Sequence, residues 1–234
     1  MGIVRRDIPC PLVSCIMPTY NRRLFFSRAV EYFLRQDYPE RELIIVDDGT
    51  DPVSDLVPID PRIRYLRQDR KCSLGAKRNL ACEKANGDII AHWDDDDWIA
   101  PWRLSYQVKS LLQEKADICG LNRLLFYDPV WDRAWQYIYH GGKWLAGGTF
   151  CYQKFFWKRN HFPSIDVGED SRFIWKSRPE KILALRDINF YVALVHAGNT
   201  STKRTGDRWW RPYPREAVRD IMGEDWDFYE EKTS

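Results

Sequence analysis

Long apolar segments are absent from this sequence of 234 residues. No run approaches the roughly 20 consecutive apolar residues of a transmembrane helix, so we expect no integral membrane span. The first residues, 1–7, also lack the apolar core of a signal peptide. These absences predict a soluble, cytoplasmic protein, and they leave peripheral contact with a membrane open.

A dominant charge and closely spaced cysteine pairs are missing too. The 36 Lys and Arg residues nearly balance 34 Asp and Glu residues, so no overall field favours nucleic acid, which we do not expect as a partner. None of the 6 cysteines has CxxC spacing, and several lie in apolar runs. This pattern predicts reduced, buried thiols and argues against a zinc site or a disulfide framework.

Aromatic residues, by contrast, are abundant, with 11 Trp, 12 Tyr and 11 Phe. Most such rings belong in a core, but exposed ones stack on sugars and bases, so some of them are expected to line a substrate groove.

The first fifty residues have the pattern of a β-α-β unit. Residues 12–17 are continuously apolar and predict a buried strand that ends at Pro18. A helix follows, with Phe26, Val30 and Phe33 on one face, and it ends before Pro39. Residues 42–46 predict the second strand. Two such strands with a helix between them indicate a parallel sheet with a right-handed crossover.

The remaining elements are predicted from the same signals. In the first half we expect strands at 63–66 and 88–92, a helix from 73 that is capped by Asn86 and Gly87, and a helix at 101–115. The second half is more mixed, with strands predicted at 118–126, 131–139, 149–152, 182–185 and 190–195 and helices at 153–159 and 168–175. The last thirty residues show no clear periodicity.

Four consecutive carboxylates, Asp94 to Asp97, follow the strand predicted at 88–92. Ionised together they repel one another, so they need either solvent or a cation. Mg²⁺ or Mn²⁺ with oxygen ligands is one solution, and a solvated acidic loop is the other. The position at the carboxyl end of a parallel strand favours the cation, because open α/β sheets bind ligands there.

Polar clusters end two other predicted strands, at residues 18–21 and 47–49. The carboxyl ends of parallel strands share one edge of a sheet, so these clusters and the acidic run are expected to line one crevice. Lys77 and Arg78, near a helix start, would add donors for phosphate. The combination predicts a site for a nucleotide and a metal.

The order of these motifs resembles the family 2 glycosyltransferases over roughly residues 12–112. The matching stretches are Pro-Thr-Tyr-Asn-Arg at 18–22, Asp-Asp-Gly-Thr-Asp at 47–51, Gly-Ala-Lys-Arg-Asn at 75–79, Asn-Gly-Asp at 86–88 and the acidic run with Pro101. The resemblance implies an inverting, nucleotide-sugar-dependent enzyme with the α/β GT-A-type fold, a mixed, mostly parallel sheet flanked by helices. It also implies a divalent metal, Mn²⁺ or Mg²⁺.

The resemblance assigns residue roles by position. Asp170, in the Glu-Asp pair that opens the helix at 168–175, would be the catalytic base, with Glu169 shaping the pocket beside it. His196 resembles a late histidine that approaches the metal or diphosphate. The donor would contact Pro18, Thr19, Tyr20, Asp48, Lys77, Arg78, Asp94 and Asp95, and the metal would contact Asp96 first, then Asp94 and His196.

We therefore expect a nucleotide-sugar-binding half at 1–115, an acceptor and catalytic-base half of the same domain at 116–204, and an aromatic and charged segment at 205–234 that could act as a lid. The donor is expected to be UDP-linked. The acceptor is a glycan, a lipid-linked glycan or another hydroxyl compound. A Gln-x-x-Arg-Trp element typical of processive members is not evident, which favours the transfer of single sugars.

Two other functions fit parts of the sequence. A sugar-phosphate nucleotidyltransferase shares the nucleotide and metal chemistry, but it would carry a glycine-rich basic loop after the first strand, where residues 18–22 contain no glycine. A non-catalytic carbohydrate- or nucleotide-binding module fits the aromatic content, but it would not need Asp170. A structural calcium loop is disfavoured, because it alternates its ligands over about twelve residues around a glycine.

Overall fold

The computed structural model describes residues 10–142 and 144–231. Within these residues the strands are β1 (Val13–Thr19), β2 (Arg41–Asp47), β3 (Ile63–Arg67), β4 (Ile89–His92), β5 (Trp98–Ile99), β6 (Ile118–Gly120), β7 (Arg123–Asp128), β8 (Arg133–Ile138), β9 (Cys151–Gln153), β10 (Ile182–Ala184), β11 (Tyr191–Leu194) and β12 (Trp210–Tyr213). The α-helices are α1 (Arg23–Leu34), α2 (Leu74–Lys84), α3 (Arg103–Gln113), α4 (Lys154–Arg159), α5 (Glu169–Ile174), α6 (Arg215–Met222) and α7 (Trp226–Glu231). None of these helices is both long and apolar enough to cross a membrane.

Two sheets organise the chain. The larger has the strand order β10-β6-β9-β4-β1-β2-β3, and the smaller has the order β12-β8-β7-β11-β5. In the larger sheet β1 pairs in parallel with β2 and with β4, whereas β9 runs antiparallel between β4 and β6. This mixed, mostly parallel sheet with flanking helices confirms the predicted α/β fold class and the β-α-β unit of the first half.

The core of the first half follows from the apolar runs. Every residue of β1 and β2 is buried, as expected for strands that are covered on both faces. Helix α1 buries Phe26, Val30 and Phe33 at helical spacing against this sheet. Ser73 precedes α2, and its hydroxyl accepts a hydrogen bond from the backbone N–H of Ala76 at 3.3 Å, which caps the helix.

The predicted end of the helix at 73–86 was wrong by two residues. Helix α2 ends at Lys84, and Asn86 and Gly87 do not cap it. The Glu42 carboxylate accepts the backbone N–H of Asn86 at 2.6 Å and so draws the chain away from the helix axis. Gly87 is needed for a different reason, because a Cβ there would lie 2.4 Å from the carbonyl oxygen of Leu12.

The strand predicted at 118–126 is in fact two strands in different sheets. Strand β6 belongs to the larger sheet and β7 to the smaller one. Between them the backbone N–H of Leu121 donates to the hydroxyl of Thr149 at 2.9 Å, and its carbonyl accepts from Ala146 at 2.7 Å. These contacts turn the chain from one sheet to the other, and an apolar run carries no signal for them.

The predicted stop of the first strand at Pro18 was also wrong, since β1 continues to Thr19. Pro18 pairs with Val46 of β2, but pairing with β4 ends at Ile16. Proline therefore lies beyond the β4 ladder and interrupts no hydrogen bond on that side.

The C-terminal segment packs onto the smaller sheet and the end of α1 despite its lack of periodicity. Trp226 is 1% exposed, and its ring lies 4.2 Å from that of Tyr127 between centroids. The Asp225 carboxylate accepts from Trp98 Nε1 at 2.8 Å and from the guanidinium of Arg35 at 2.9 Å. Residues 215–231 are thus part of the folded body. The lid predicted for 205–234 stays a prediction, and residues 232–234 lie outside the described chain.

Candidate active site

The carboxyl ends of three adjacent parallel strands form one edge of the larger sheet. Strands β4, β1 and β2 end there, and two cavities of about 490 and 330 Å³ open at this edge. Pro18, Arg22 and Asp95 line both cavities, so the two are neighbours. The cluster at 18–21 and the acidic run therefore contribute to one crevice as predicted, whereas the cluster at 47–49 lines neither cavity.

The smaller cavity has an aromatic ring beside two cations. Tyr20 lines it, with Lys71 Nζ 4.5 Å and Lys77 Nζ 5.8 Å from the centre of its ring. Lys77 Nζ donates to the carbonyl of Thr19 at 3.0 Å, which fixes its position. A planar ring with positive charge nearby can take a nucleoside and the first phosphate of a nucleotide.

The Asp-Asp-Gly turn at 47–49 holds one of the two lysines of this cavity in position. Asp48 accepts from Lys77 Nζ and from the backbone N–H of Cys72, both at 2.6 Å, and its side chain is fully buried. Asp47 is also buried and accepts from the backbone N–H groups of Gly49 and Val53. Asp48 thus holds Lys77 in place and does not line the cavity, and its contact with a base stays a prediction.

Asp96 faces a cation and an imidazole. It forms a hydrogen-bonded ion pair with Arg22, and His196 Nε2 lies 3.0 Å from its Oδ2. Although burial opposes the shift, the bond with His196 and the charge of Arg22 lower the pKa of Asp96 to about 2. Burial and the neighbouring Asp96 raise the pKa of Asp95 to about 7. Asp96 is therefore held ionised beside the imidazole nitrogen of His196.

Asp97 and Asp94 have other partners. Asp97 accepts the backbone N–H of Leu194 at 2.8 Å and the hydroxyl of Tyr191, so it ties the acidic run to β11. Burial raises the pKa of Asp97 well above its usual range. Asp94 lies 3.4 Å from both Arg78 Nη2 and the Tyr191 hydroxyl. All four aspartates line the larger cavity, and Asp97 differs from the other three in that it is also bound to the backbone of β11.

The donor atoms fit a divalent cation. Among residues 10–142 and 144–231, no three His, Cys, Asp or Glu side chains form a ready-made metal site. Mg²⁺ and Mn²⁺ commonly take only one or two protein ligands when substrate phosphates complete their shell. The Asp96 carboxylate and the His196 imidazole are a pair of this kind.

Arg78, Glu169 and Asp170 line the larger cavity, whereas His196 lines neither of the two cavities. Arg78 and Glu169 are 3% exposed each and form a hydrogen-bonded ion pair. Burial raises the pKa of Glu169 to about 7 even though Arg78 opposes the shift. Asp170 accepts the backbone N–H of Ser171 at 2.6 Å through Oδ1, and its Oδ2 lies so close to Gly147 that a Cβ there would be 2.4 Å away. Asp170 lines the cavity and has no side-chain cation paired with it among the described residues.

Two buried residues that were not predicted from the sequence position the loop beside Asp170. His92 Nδ1 lies 2.7 Å from the carbonyl oxygen of Gly147, and burial lowers its pKa well below the usual range, so it is neutral and donates. Arg103 is fully buried and donates through Nη2 to the carbonyls of His92 and Gly148, both at 2.9 Å. A histidine inside an apolar strand was the available signal for the first. Arg103 gives no sequence signal that separates it from a surface arginine at a helix start.

Arg22 is a further site residue whose role was not predicted. Its motif was recognised, but its guanidinium contacts Asp96, the carbonyl of Gly198 and, at 3.3 Å, His196 Nε2. Arg22 therefore joins the end of β1 to the loop that follows β11. The partner on that loop is 174 positions away along the chain, which sequence spacing cannot indicate.

Sequence relatives are glycosyltransferases that match this chain over only part of their own length. An uncharacterized glycosyltransferase of Haemophilus influenzae is 34% identical over 108 residues, which are 44% of this chain and 43% of that protein. The putative colanic acid biosynthesis glycosyl transferase WcaA of Escherichia coli is 43% identical over 100 residues, 41% of this chain and 36% of WcaA. The matched stretches thus span less than half of each of these relatives.

Solved structures share the fold at low sequence identity. The structure of S. aureus TarS 1-349 in complex with UDP has a TM-score of 0.60 and 20% identity, and the match covers 79% of this chain and 60% of that one. The mannosyltransferase PcManGT from Pyrobaculum calidifontis, in complex with GDP-Man and Mn²⁺, has a TM-score of 0.61 and 20% identity, with 83% and 58% covered. The fold is therefore that of the GT-A glycosyltransferases.

The family model described as glycosyl transferase family 2 matches residues 14–170, from β1 to the carboxylate of Asp170. Because this match covers more than half of the chain, the protein belongs to glycosyl transferase family 2.

Proposed function

We propose that this protein transfers a sugar, with inversion, from a UDP-linked donor to an acceptor hydroxyl. The observation that carries the proposal is the cavity of about 490 Å³, which is lined both by Asp96 and by Asp170. The diphosphate of the donor would lie at Asp96 and the acceptor hydroxyl at Asp170. The anomeric carbon of the transferred sugar would then lie between them. The adjoining cavity beside Tyr20 would take the nucleoside.

The reaction assigns the proton and the leaving group to different residues. The acceptor oxygen forms a bond to the anomeric carbon, the bond from that carbon to the diphosphate oxygen breaks, and the nucleoside diphosphate leaves with the electron pair. Asp170 takes the hydroxyl proton. Glu169 is poorly suited to this step because its carboxylate is hydrogen-bonded to Arg78. Arg78 and Lys203 line the cavity and stabilise the charge that develops on the leaving group.

A divalent metal completes the proposed site. Asp96 and His196 would hold it, and when bound it neutralises the diphosphate as a Lewis acid. In this structure the guanidinium of Arg22 contacts both of these residues. Metal binding at this pair therefore requires Arg22 to move away.

Arg22→Gln is expected to raise the affinity for Mn²⁺ about tenfold, because the variant removes a competing cation worth about 1.4 kcal/mol at a partly buried carboxylate. The measurement is an electron paramagnetic resonance titration of free Mn²⁺ without donor. Arg23→Gln is the matched control, since its guanidinium pairs with the exposed Asp55 and not with the site. An unchanged Mn²⁺ affinity in Arg22→Gln would mean that this arginine does not compete with the metal.

The donor class is tested by thermal shift with UDP, GDP, CDP and dTDP, each with and without Mn²⁺. UDP with Mn²⁺ at about a hundred times its Kd should raise Tm by about 5–10 °C, since that occupancy stabilises the fold by about 2.7 kcal/mol. Asp96→Asn should lose the Mn²⁺-dependent part of the shift. A larger shift with GDP would correct the nucleotide, and no shift with any nucleotide would overturn the proposed function.

A further inference from the structure

Five aromatic rings line the larger cavity, which Asp170 also lines, and we call them the aromatic wall. Its members are Phe126, Tyr137, Trp144, Trp209 and Trp210. They come from the β7–β8 hairpin, from the loop before Gly147 and from the start of β12, yet four of them, all except Trp209, form one contact chain. Ring centroids are 4.5 Å apart for Phe126 and Trp210, 5.3 Å for Trp210 and Tyr137, and 5.3 Å for Tyr137 and Trp144. Tyr139 packs behind the wall, 5.3 Å from Trp144 and 5.2 Å from Trp209.

The wall differs from the hydrophobic core in its exposure. The core tryptophans Trp93 and Trp226 are 0% and 1% exposed. Tyr137, Trp144 and both tryptophans of residues 209–210 are only half-buried, although they are large and apolar. A folded protein gains by burying such rings fully, so a contiguous half-exposed set beside a cavity indicates a ligand surface.

The wall is continuous with the proposed base. Trp144 lies three positions before Gly147, where an added Cβ would lie 2.4 Å from Oδ2 of Asp170. The backbone between them is anchored, because the N–H of Ala146 donates to the carbonyl of Leu121 at 2.7 Å. A molecule that presents a hydroxyl to Asp170 would therefore extend over these rings.

The polar groups around the wall narrow the class of ligand. Lys203 Nζ lies 5.7 Å from the centre of the Phe126 ring, and Arg204 and Asp207 line the same cavity. A pyranose ring has an apolar face of C–H groups, which packs flat on an aromatic ring, and a rim of hydroxyls that needs hydrogen-bonding partners. A bare hydrocarbon chain would leave these charged groups without partners.

We propose that the acceptor is a carbohydrate, and that a pyranose ring of it stacks on the aromatic wall while its hydroxyl reaches Asp170. This inference rests on the proposed function and names the substrate class of the same site. The sequence left open a glycan, a lipid-linked glycan or another hydroxyl compound as the acceptor. The proposal selects the first two, and in both of them the aromatic wall binds the glycan. Trp144 and Trp209 are then the residues that position the acceptor.

The test is saturation-transfer difference NMR with methyl pyranosides of glucose, galactose, mannose and N-acetylglucosamine, in the presence of UDP and Mn²⁺. We expect saturation of the ring C–H protons of at least one pyranoside, and about tenfold weaker affinity for it in Trp144→Ala. Trp209→Leu is a second variant, from another segment, in case the first disturbs the loop. Trp131→Ala, whose side chain is 72% exposed and does not line the cavity, should bind as the wild type does.

The outcomes separate this inference from the proposed function. A nucleotide-induced thermal shift without a signal from any pyranoside would overturn the carbohydrate acceptor and leave glycosyl transfer standing. Citronellyl phosphate, a short isoprenyl phosphate, is the competing probe. If it gives a saturation-transfer signal that depends on Trp144 and the pyranosides give none, the carbohydrate acceptor is likewise overturned and glycosyl transfer stands. Pyranoside binding that both wall variants retain would place the acceptor elsewhere. Loss of the nucleotide shift itself would instead remove the proposed function.

Discussion

Asp170→Asn is expected to lower kcat by about 100- to 10,000-fold, the range that a positioned general base contributes. The amide keeps the size of the side chain and its hydrogen bond from Ser171, but it cannot take the acceptor proton. KM for the donor and the Mn²⁺-dependent thermal shift with UDP should stay close to the wild type, because Asp96 and His196 are untouched. Initial rates at saturating donor and acceptor measure the effect.

Asp207→Asn is the matched control, since it makes the same change of charge and shape in the same cavity. Its kcat should stay within a few-fold of the wild type even if the KM for the acceptor rises. If Asp170→Asn kept its turnover, the base would have to be another group. Glu169 would then be the next candidate, since burial raises its pKa to about 7 and makes it a stronger base than an ordinary carboxylate.

Trp226→Ala is expected to lower the free energy of unfolding by about 3–5 kcal/mol, as large aromatic deletions in a core do. The ring is 1% exposed and packs on Tyr127, so its removal leaves a cavity between α7 and the smaller sheet. Urea unfolding followed by circular dichroism should show a lower midpoint with a similar slope. That loss is a large part of the 5–15 kcal/mol, roughly, that stabilises an ordinary domain.

The same substitution at Trp131 tests whether burial is the cause. Its side chain is 72% exposed, and Trp131→Ala should change the free energy of unfolding by no more than about 0.5 kcal/mol. If Trp226→Ala unfolded at the wild-type midpoint, the C-terminal helices would not be packed in solution as they are here. The lid that the sequence suggested for 205–234 could then include residues 215–231 as well.

Local patterns were enough for most of the first half. Apolar runs predicted β1 and β2, and helical spacing predicted α1. Pro39 indicated that α1 ends before it, because proline cannot continue a helix. These signals work because each depends on residues close together in the chain. They failed where a distant group decided the outcome, as at Asn86, whose backbone is held by Glu42, and at Leu121, which is held by Thr149.

The site shows the same division. That strand-end carboxylates and cations gather at one edge follows from the parallel order of the strands, so the gathering could be predicted. The sequence could not predict which carboxylate pairs with which cation. Asp48 is bound to Lys77, Glu169 to Arg78 and Asp96 to Arg22, and these pairs join positions 29, 91 and 74 residues apart.

The sequence by itself determined the α/β class, the family resemblance and the set of residues from which an active site could be made. The tertiary structure alone decided which partner each of the four consecutive aspartates contacts. Asp97 is used internally by β11, Asp94 lies beside Arg78, and Asp96 faces His196. The physical reason is that consecutive side chains in a turn point in different directions, so the partner of each depends on which distant strand or loop the fold brings up to it.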